Sequence, residues 1–234
     1  SLMVRRVFTQ FLSVLLLSLL CLPIQAATPD NESGVVLTFD DTFVDQWYSF
    51  FTRPDMLGVK ATFFVSHWHT LSPSQINKLK ELQAAGHEIA CHSYDHKSVI
   101  DDYKGDSTRV TEYINSQIIP AIHNMNASGF SPVSFAYPYG DRTPQYDAAV
   151  RLLLPYLRTT FSNKDKPLSQ VEEVFHNSNK NYEYLASEGL DNISLNELDE
   201  VEQAFIRAEN NRDIITLLSH RIMDDSSPEA ILDY

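Results

Sequence analysis

The chain has 234 residues, 43% of them hydrophobic and 11% aromatic, which is enough for one sizeable core and one domain. Its 31 acids against 18 Lys and Arg leave a formal net charge of −13, which argues against nucleic acid or an anionic membrane surface as a partner. The first 26 residues read as a secretory signal peptide. Arg5 and Arg6 form a short basic region, and the apolar stretch 11–22 is short for a membrane span. Small residues at Ala26 and Ala27 then offer a cleavage point. The expectation is an exported protein, periplasmic or extracellular, with residues 27–234 as its catalytic domain and no membrane span after cleavage. Losing residues 1–26 removes two arginines and no acid, so the net charge moves to −15. Cys91 is then the remaining cysteine, and no internal disulfide is expected.

Strand-like runs recur along the rest of the chain at 35–39, 61–65, 88–91, 133–137, 158–161 and 214–218. Helical spacing lies between them at 74–85, which ends at Gly86, and at 105–123 and 144–154. A further helix is expected over 195–208, with Ser194 as its cap and Glu197 closing a capping box. Strands alternating with helices imply an α/β fold with a parallel sheet, either barrel or doubly wound. The chemically capable residues sit at the C-terminal ends of these strands: Asp40 and Asp41, His92 and His96, Tyr139 and His220. That is where parallel α/β folds place their sites.

Two adjacent carboxylates at the end of a buried strand are costly unless a cation lies beside them. His92-Ser93-Tyr94-Asp95-His96 supplies two imidazoles four residues apart. One carboxylate with two imidazoles makes a three-ligand metal site with a position left for water, and the spare carboxylate can act as a base. Two imidazoles and a carboxylate suit zinc, and cobalt or nickel can occupy the same donors.

Four strings in order, Thr38-Phe39-Asp40-Asp41, His92-Ser93-Tyr94-Asp95-His96, Phe135-Ala136-Tyr137-Pro138-Tyr139-Gly140 and Leu218-Ser219-His220, resemble the motifs of the polysaccharide deacetylases. These are the family four carbohydrate esterases, or chitooligosaccharide deacetylase homology domain. The resemblance covers roughly residues 34 to 222. It implies an incomplete, distorted (β/α) barrel and metal-dependent removal of N- or O-acetyl groups from a glycan, most simply an N-acetylglucosamine-type one. It assigns Asp41, His92 and His96 as metal ligands, Asp40 as general base and His220 as general acid. It gives the Tyr139 backbone N–H the developing oxyanion, and Leu218 the acetyl methyl.

Two features depart from that pattern. Many members carry an arginine in the third motif, paired with the base; here Ala136 stands in its place. Arg158, in the next strand-like run, is the candidate replacement, with a guanidinium nitrogen within hydrogen-bond distance of Asp40. The chain also stops at Tyr234, soon after the last motif, so the barrel is expected to be left open or the chain to be shortened. Trp68, after the 61–65 run, is a candidate for stacking on a sugar face. Asp95 either faces elsewhere or orients a ligating ring. His87, His123 and His176 read as structural or surface residues. Two rival readings share the same ligands: a metal-dependent amidohydrolase acting on a non-sugar C–N bond, and a non-catalytic glycan-binding relative.

Overall fold

Seven parallel strands close into a barrel in the computed structural model, which describes residues 32–191 and 196–222. Its order is β1 (Gly34–Asp41), β2 (Thr62–Val65), β3 (Glu88–Cys91), β4 (Ser134–Ala136), β5 (Tyr156–Thr160), β7 (Leu185–Gly189) and β8 (Asp213–Ser219). The ring closes where β8 returns to β1, in register from Gly34 opposite Ile214 to Phe39 opposite Ser219. The barrel is therefore closed, not open. β8 is long enough to serve two neighbours on its other side. Its first residues pair antiparallel with β6 (Phe175–Asn177), and Leu217 and Leu218 pair with Glu188 and Gly189 of β7.

Hydrophobic runs without alternation mark β2 and β3, which are buried on both faces, as parallel strands under helices must be. The cover comes from α1 (Val44–Phe51), α2 (Pro73–Ala84), α3 (Val110–Tyr113), α4 (Ile119–Ala127), α5 (Pro144–Val150) and α6 (Leu198–Asn211). α2 starts on a capping box in which Ser72 and Gln75 satisfy each other's backbone N–H. Trp47 and Phe51 of α1 pack on Phe63 of β2, with ring centroids 5.0 and 5.3 Å apart. α6 lays Ala204 and Ala208 against Ile215 and Leu217 in a second cluster.

Several expected boundaries moved. α6 begins at Leu198, and its capping box joins Glu197 to Glu200, so Glu197 is the cap residue itself; Ser194 lies outside the described residues, as does the segment 1–26. The run 105–123 is not one regular helix. Pro120 cannot donate to the carbonyl four residues back, and the backbone widens into a π-turn at Ile114–Ile118 between α3 and α4. β6, β7 and α1 were not foreseen. β7 reads Leu-Ala-Ser-Glu-Gly and has no β-branched residue; α1 is rich in aromatic residues of modest helix propensity. Among the described residues, no helix is long and apolar enough to cross a membrane.

Candidate active site

β1 delivers both carboxylates to the C-terminal rim. Asp40 is 3% exposed, and Asp41, the last residue of the strand, takes a left-handed φ of 84°, so neighbouring side chains that would alternate both reach the site. His92 and His96 arrive on the loop after β3. Ser93 and His96 also take positive φ, and the His96 N–H donates to Ser93 Oγ at 3.0 Å. Gln117, buried in the π-turn, holds this loop from behind. Its carbonyl accepts from the Tyr94 N–H at 2.9 Å, and its side-chain oxygen accepts from the Asp95 N–H at 3.0 Å. Asp95 itself is exposed.

Three donor atoms converge here. His92 Nε2 and His96 Nε2 are 3.1 Å apart and lie 3.5 and 3.3 Å from Asp41 Oδ1. His92 Nδ1 is 2.8 Å from the Ala136 carbonyl, which can only accept. Nδ1 therefore carries the proton, and Nε2 turns a lone pair into the cluster. Asp41 Oδ1 is buried with no hydrogen-bond partner. Ligands bonded at about 2.0–2.1 Å around a tetrahedral ion stand about 3.3–3.4 Å apart, so the three atoms fit a divalent metal. The electrostatics point the same way. Burial pushes the Asp41 carboxyl up, but His92, His96 and His220 outweigh it and hold its pKa at about 2. Burial and the neighbouring His92 push His96 down to about 4, so its ring is neutral at pH 7, as a ligand must be.

Asp40 Oδ2 accepts from Arg158 Nη2 at 2.5 Å. Parallel pairing sets Arg158 opposite Ala136 on β4, so the guanidinium enters the barrel from the strand next to the alanine. Small residues make room for it: Ala90 and Ala136 cluster with Phe64 in the interior, and the Arg158 guanidinium lies over the Phe64 ring at 5.0 Å. Its Nη1 donates to Ser187 Oγ at 3.2 Å.

His220, just past β8, donates from Nδ1 to Asp191 Oδ2 at 2.6 Å. Asp191 Oδ1 also accepts from Ser219 Oγ and the His220 N–H, at 2.7 and 3.2 Å. Burial alone would lower the His220 pKa; the Asp191 hydrogen bond and the charges of Asp40, Asp191 and Asp41 raise it. Trp47 fixes the same residue from the helical layer, its indole N–H donating to the His220 carbonyl at 2.7 Å. Sequence reasoning missed Asp191, Gln117 and Trp47. An acid directly after a strand on the active rim is a usable signal for Asp191, but β7 was not legible as a strand.

Asp40, Asp41, His92, His96, Asp191 and His220 line one pocket of about 360 Å³ with Tyr139 and Leu218. Tyr139 takes a φ of 60°, and its ring meets His96 edge-on at 4.7 Å. The next residue must be glycine. Gly140 has φ 72°, and a Cβ there would fall 2.1 Å from Thr160 Oγ1. Trp68 does not reach this pocket. His67 adopts a left-handed φ of 48° and turns the chain, so Trp68 is 3% exposed, donates to Ser128 Oγ at 3.0 Å and packs edge-on to Phe130. The expectation of sugar stacking at Trp68 is thus overturned: its ring faces are spent in the core.

Residues 27–156 match the family model described as polysaccharide deacetylase. That stretch carries Asp40, Asp41, His92, His96 and Tyr139; Arg158, Asp191, Leu218 and His220 lie beyond it. The chain is 28% identical over 153 residues to a chitin disaccharide deacetylase of Vibrio alginolyticus, an overlap of 59% of this chain and 36% of that protein. It thus spans little more than a third of that relative's length. Among solved structures it resembles the Xyl-CE4 domain of a multidomain xylanase from the hindgut metagenome of Trinervitermes trinervoides, at 18% identity and a TM-score of 0.49, covering 86% of this chain and 80% of that one. The peptidoglycan deacetylase PdaC from Bacillus subtilis stands at 19% identity and 0.48, with the same coverage. With a match over more than half of its length, the chain belongs to the polysaccharide deacetylase family.

Proposed function

We propose that this protein hydrolyses acetyl groups from an acetylated glycan, with a divalent ion held by Asp41, His92 and His96. The observation that carries this reading is the convergence of those three donor atoms, all within 4.8 Å of one another, in a pocket that also holds Asp40 and His220. A bound ion of this kind supplies Lewis acidity to water and to the acetyl carbonyl; zinc suits the donors, and cobalt or nickel can take them.

The chain's own residues supply the rest. Asp40 accepts the proton of the attacking water as the new C–O bond forms. Arg158 orients that carboxylate with a charge-assisted hydrogen bond and balances its buried charge. The Tyr139 backbone N–H faces the acetyl oxygen as negative charge grows there. Leu218, 6% exposed in the pocket wall, meets the acetyl methyl. His220, whose pKa Asp191 helps to raise, passes a proton to the leaving nitrogen or oxygen as the bond to the acetyl carbon breaks, releasing acetate and a free amine or hydroxyl.

The chitin disaccharide deacetylase relative supports an N-acetylglucosamine-type glycan as substrate. The apolar segment 11–22 behind Arg5 and Arg6 supports export to the periplasm or beyond. Acetate release from a small panel of acetylated glycans, with and without added metal, tests the reading. Metal-dependent release is expected. Release from a non-sugar acetamide alone would favour the amidohydrolase alternative, and no release from any substrate would favour a glycan-binding relative.

A further inference from the structure

A second cleft of about 590 Å³ lies beside the active pocket and shares Thr160 and Phe161 with it. It opens on the outer side of the barrel. Its floor includes Thr159 and Ala186, whose chain neighbours Arg158 and Ser187 bond to each other on the inner side. Between the other consecutive barrel strands the chain forms a helix. Between β5 and β7 the chain makes only the short turns Leu168–Gln170 and Glu172–Val174 and the three residues of β6, so among the described residues no α-helix from this connection covers that face.

Tyr182 stands in this cleft with 41% of its surface exposed, yet it is held in place. Its hydroxyl accepts from the Asn177 N–H at 2.8 Å, and its ring packs edge-on to His176 with centroids 4.8 Å apart. A large, partly exposed ring held by its hydroxyl and packed against a neighbouring ring has already lost part of the freedom that binding would otherwise cost. The apolar C–H face of a sugar is the complement of such a surface.

Charge narrows the choice of sugar. The cleft is lined by Glu172, Glu173 and Glu183 against one arginine, Arg142. Arg142 is committed, donating from Nε to Asp147 at 2.9 Å and lying over the Tyr184 ring at 3.8 Å. Glu172 is likewise taken by Arg207. Glu173 and Glu183 are exposed, and they repel anionic units and attract cationic ones.

We propose that this cleft binds the sugar units next to the one being deacetylated, with Tyr182 as stacking platform, and that it prefers neutral or amine-bearing units over uronates. The glycan identity rests on the deacetylase reading; the cleft itself does not need turnover to be tested. Calorimetry with the full chain would use the N-acetylglucosamine dimer and pentamer, the glucosamine pentamer and a galacturonate pentamer as probes. Both amino-sugar pentamers are expected to bind about five- to tenfold more tightly than the dimer. In Tyr182→Ala the pentamer-to-dimer ratio should fall to about one, whereas Tyr182→Phe, which keeps the ring, should retain most of it. Glu183→Lys, at an exposed position, should weaken the glucosamine pentamer and leave the neutral pentamer alone. Equal affinities for dimer and pentamer in the wild type, a length gain that survives Tyr182→Ala, or tightest binding of the galacturonate would each overturn the proposal. Absence of acetate release with the length gain intact would instead count against the deacetylase reading.

Discussion

Asp41, His96 and Tyr139 all sit in left-handed backbone conformations, each with a cost of about 1–3 kcal/mol for a residue with a side chain. Such strain persists only where the surroundings enforce it, and all three residues line the same pocket. Asp41→Ala and His96→Ala should each lose bound metal in elemental analysis of the purified protein; unchanged content in both would remove the ligand assignment. Arg158 and Asp40 form a buried pair, 3% and 4% exposed at the side chain. Arg158→Lys keeps the charge but not the planar fork, and should lower kcat by about ten- to a hundredfold while metal content holds. Arg158→Ala leaves the carboxylate without its cation and should cost about 3–5 kcal/mol in a denaturant melt of the metal-free protein. For His220 the sign is set by its raised pKa: the proton it donates is retained to higher pH than in a free imidazole. Asp191→Asn removes the charge that holds that proton. The alkaline limb of the pH–rate profile should therefore move to lower pH, and a limb that stays put would exclude Asp191 as the tuning group.

At the scale of elements, the π-turn at Ile114–Ile118 does work that a regular helix would not. It presents both the carbonyl and the side chain of Gln117 to the His92–His96 loop. Gln117→Ala touches neither His92 nor His96, yet it frees the loop that carries both. A fall in metal affinity of about ten- to a hundredfold is expected, the usual cost of losing an outer support, with secondary structure by circular dichroism unchanged. Affinity equal to wild type would make the turn a mere accommodation of Pro120. α1 has a comparable double role, since Trp47 packs on Phe63 and holds the His220 carbonyl, joining the aromatic core to the segment that carries His220.

For the whole molecule, β8 is the strand on which closure depends. It meets β1 along its length, and β6 and β7 in turn on its other edge. Leu217 is fully buried where β1, β7 and the α6 cluster come together. Leu217→Ala should lower stability by about 2–5 kcal/mol, read as a shift in urea midpoint at constant slope. A much smaller loss would mean that closure does not rest on this strand.

Local patterning by itself determined the α/β class, six of the barrel's strands to within a residue or two, and the positions of Asp40, Asp41, His92, His96, Tyr139 and His220 at strand ends. These are short-range properties: a buried strand reads as an apolar run, and a site at its end reads as polar residues that such a run would not otherwise tolerate. Tertiary structure decided the rest, because those features depend on partners distant in the chain. Whether the ring closed depended on β8 finding β1, some 180 residues apart. The partners of His220 and of the His92–His96 loop, Asp191 and Gln117, follow from packing that no local string records. Trp68 shows the converse: its sequence context is that of a rim aromatic, and one left-handed residue before it turns the ring into the core. The guanidinium beside Asp40 lies between the two cases. The missing arginine was visible at Ala136, but only the register that sets Arg158 opposite it, and the small side chains that clear its path, bring that charge to Asp40.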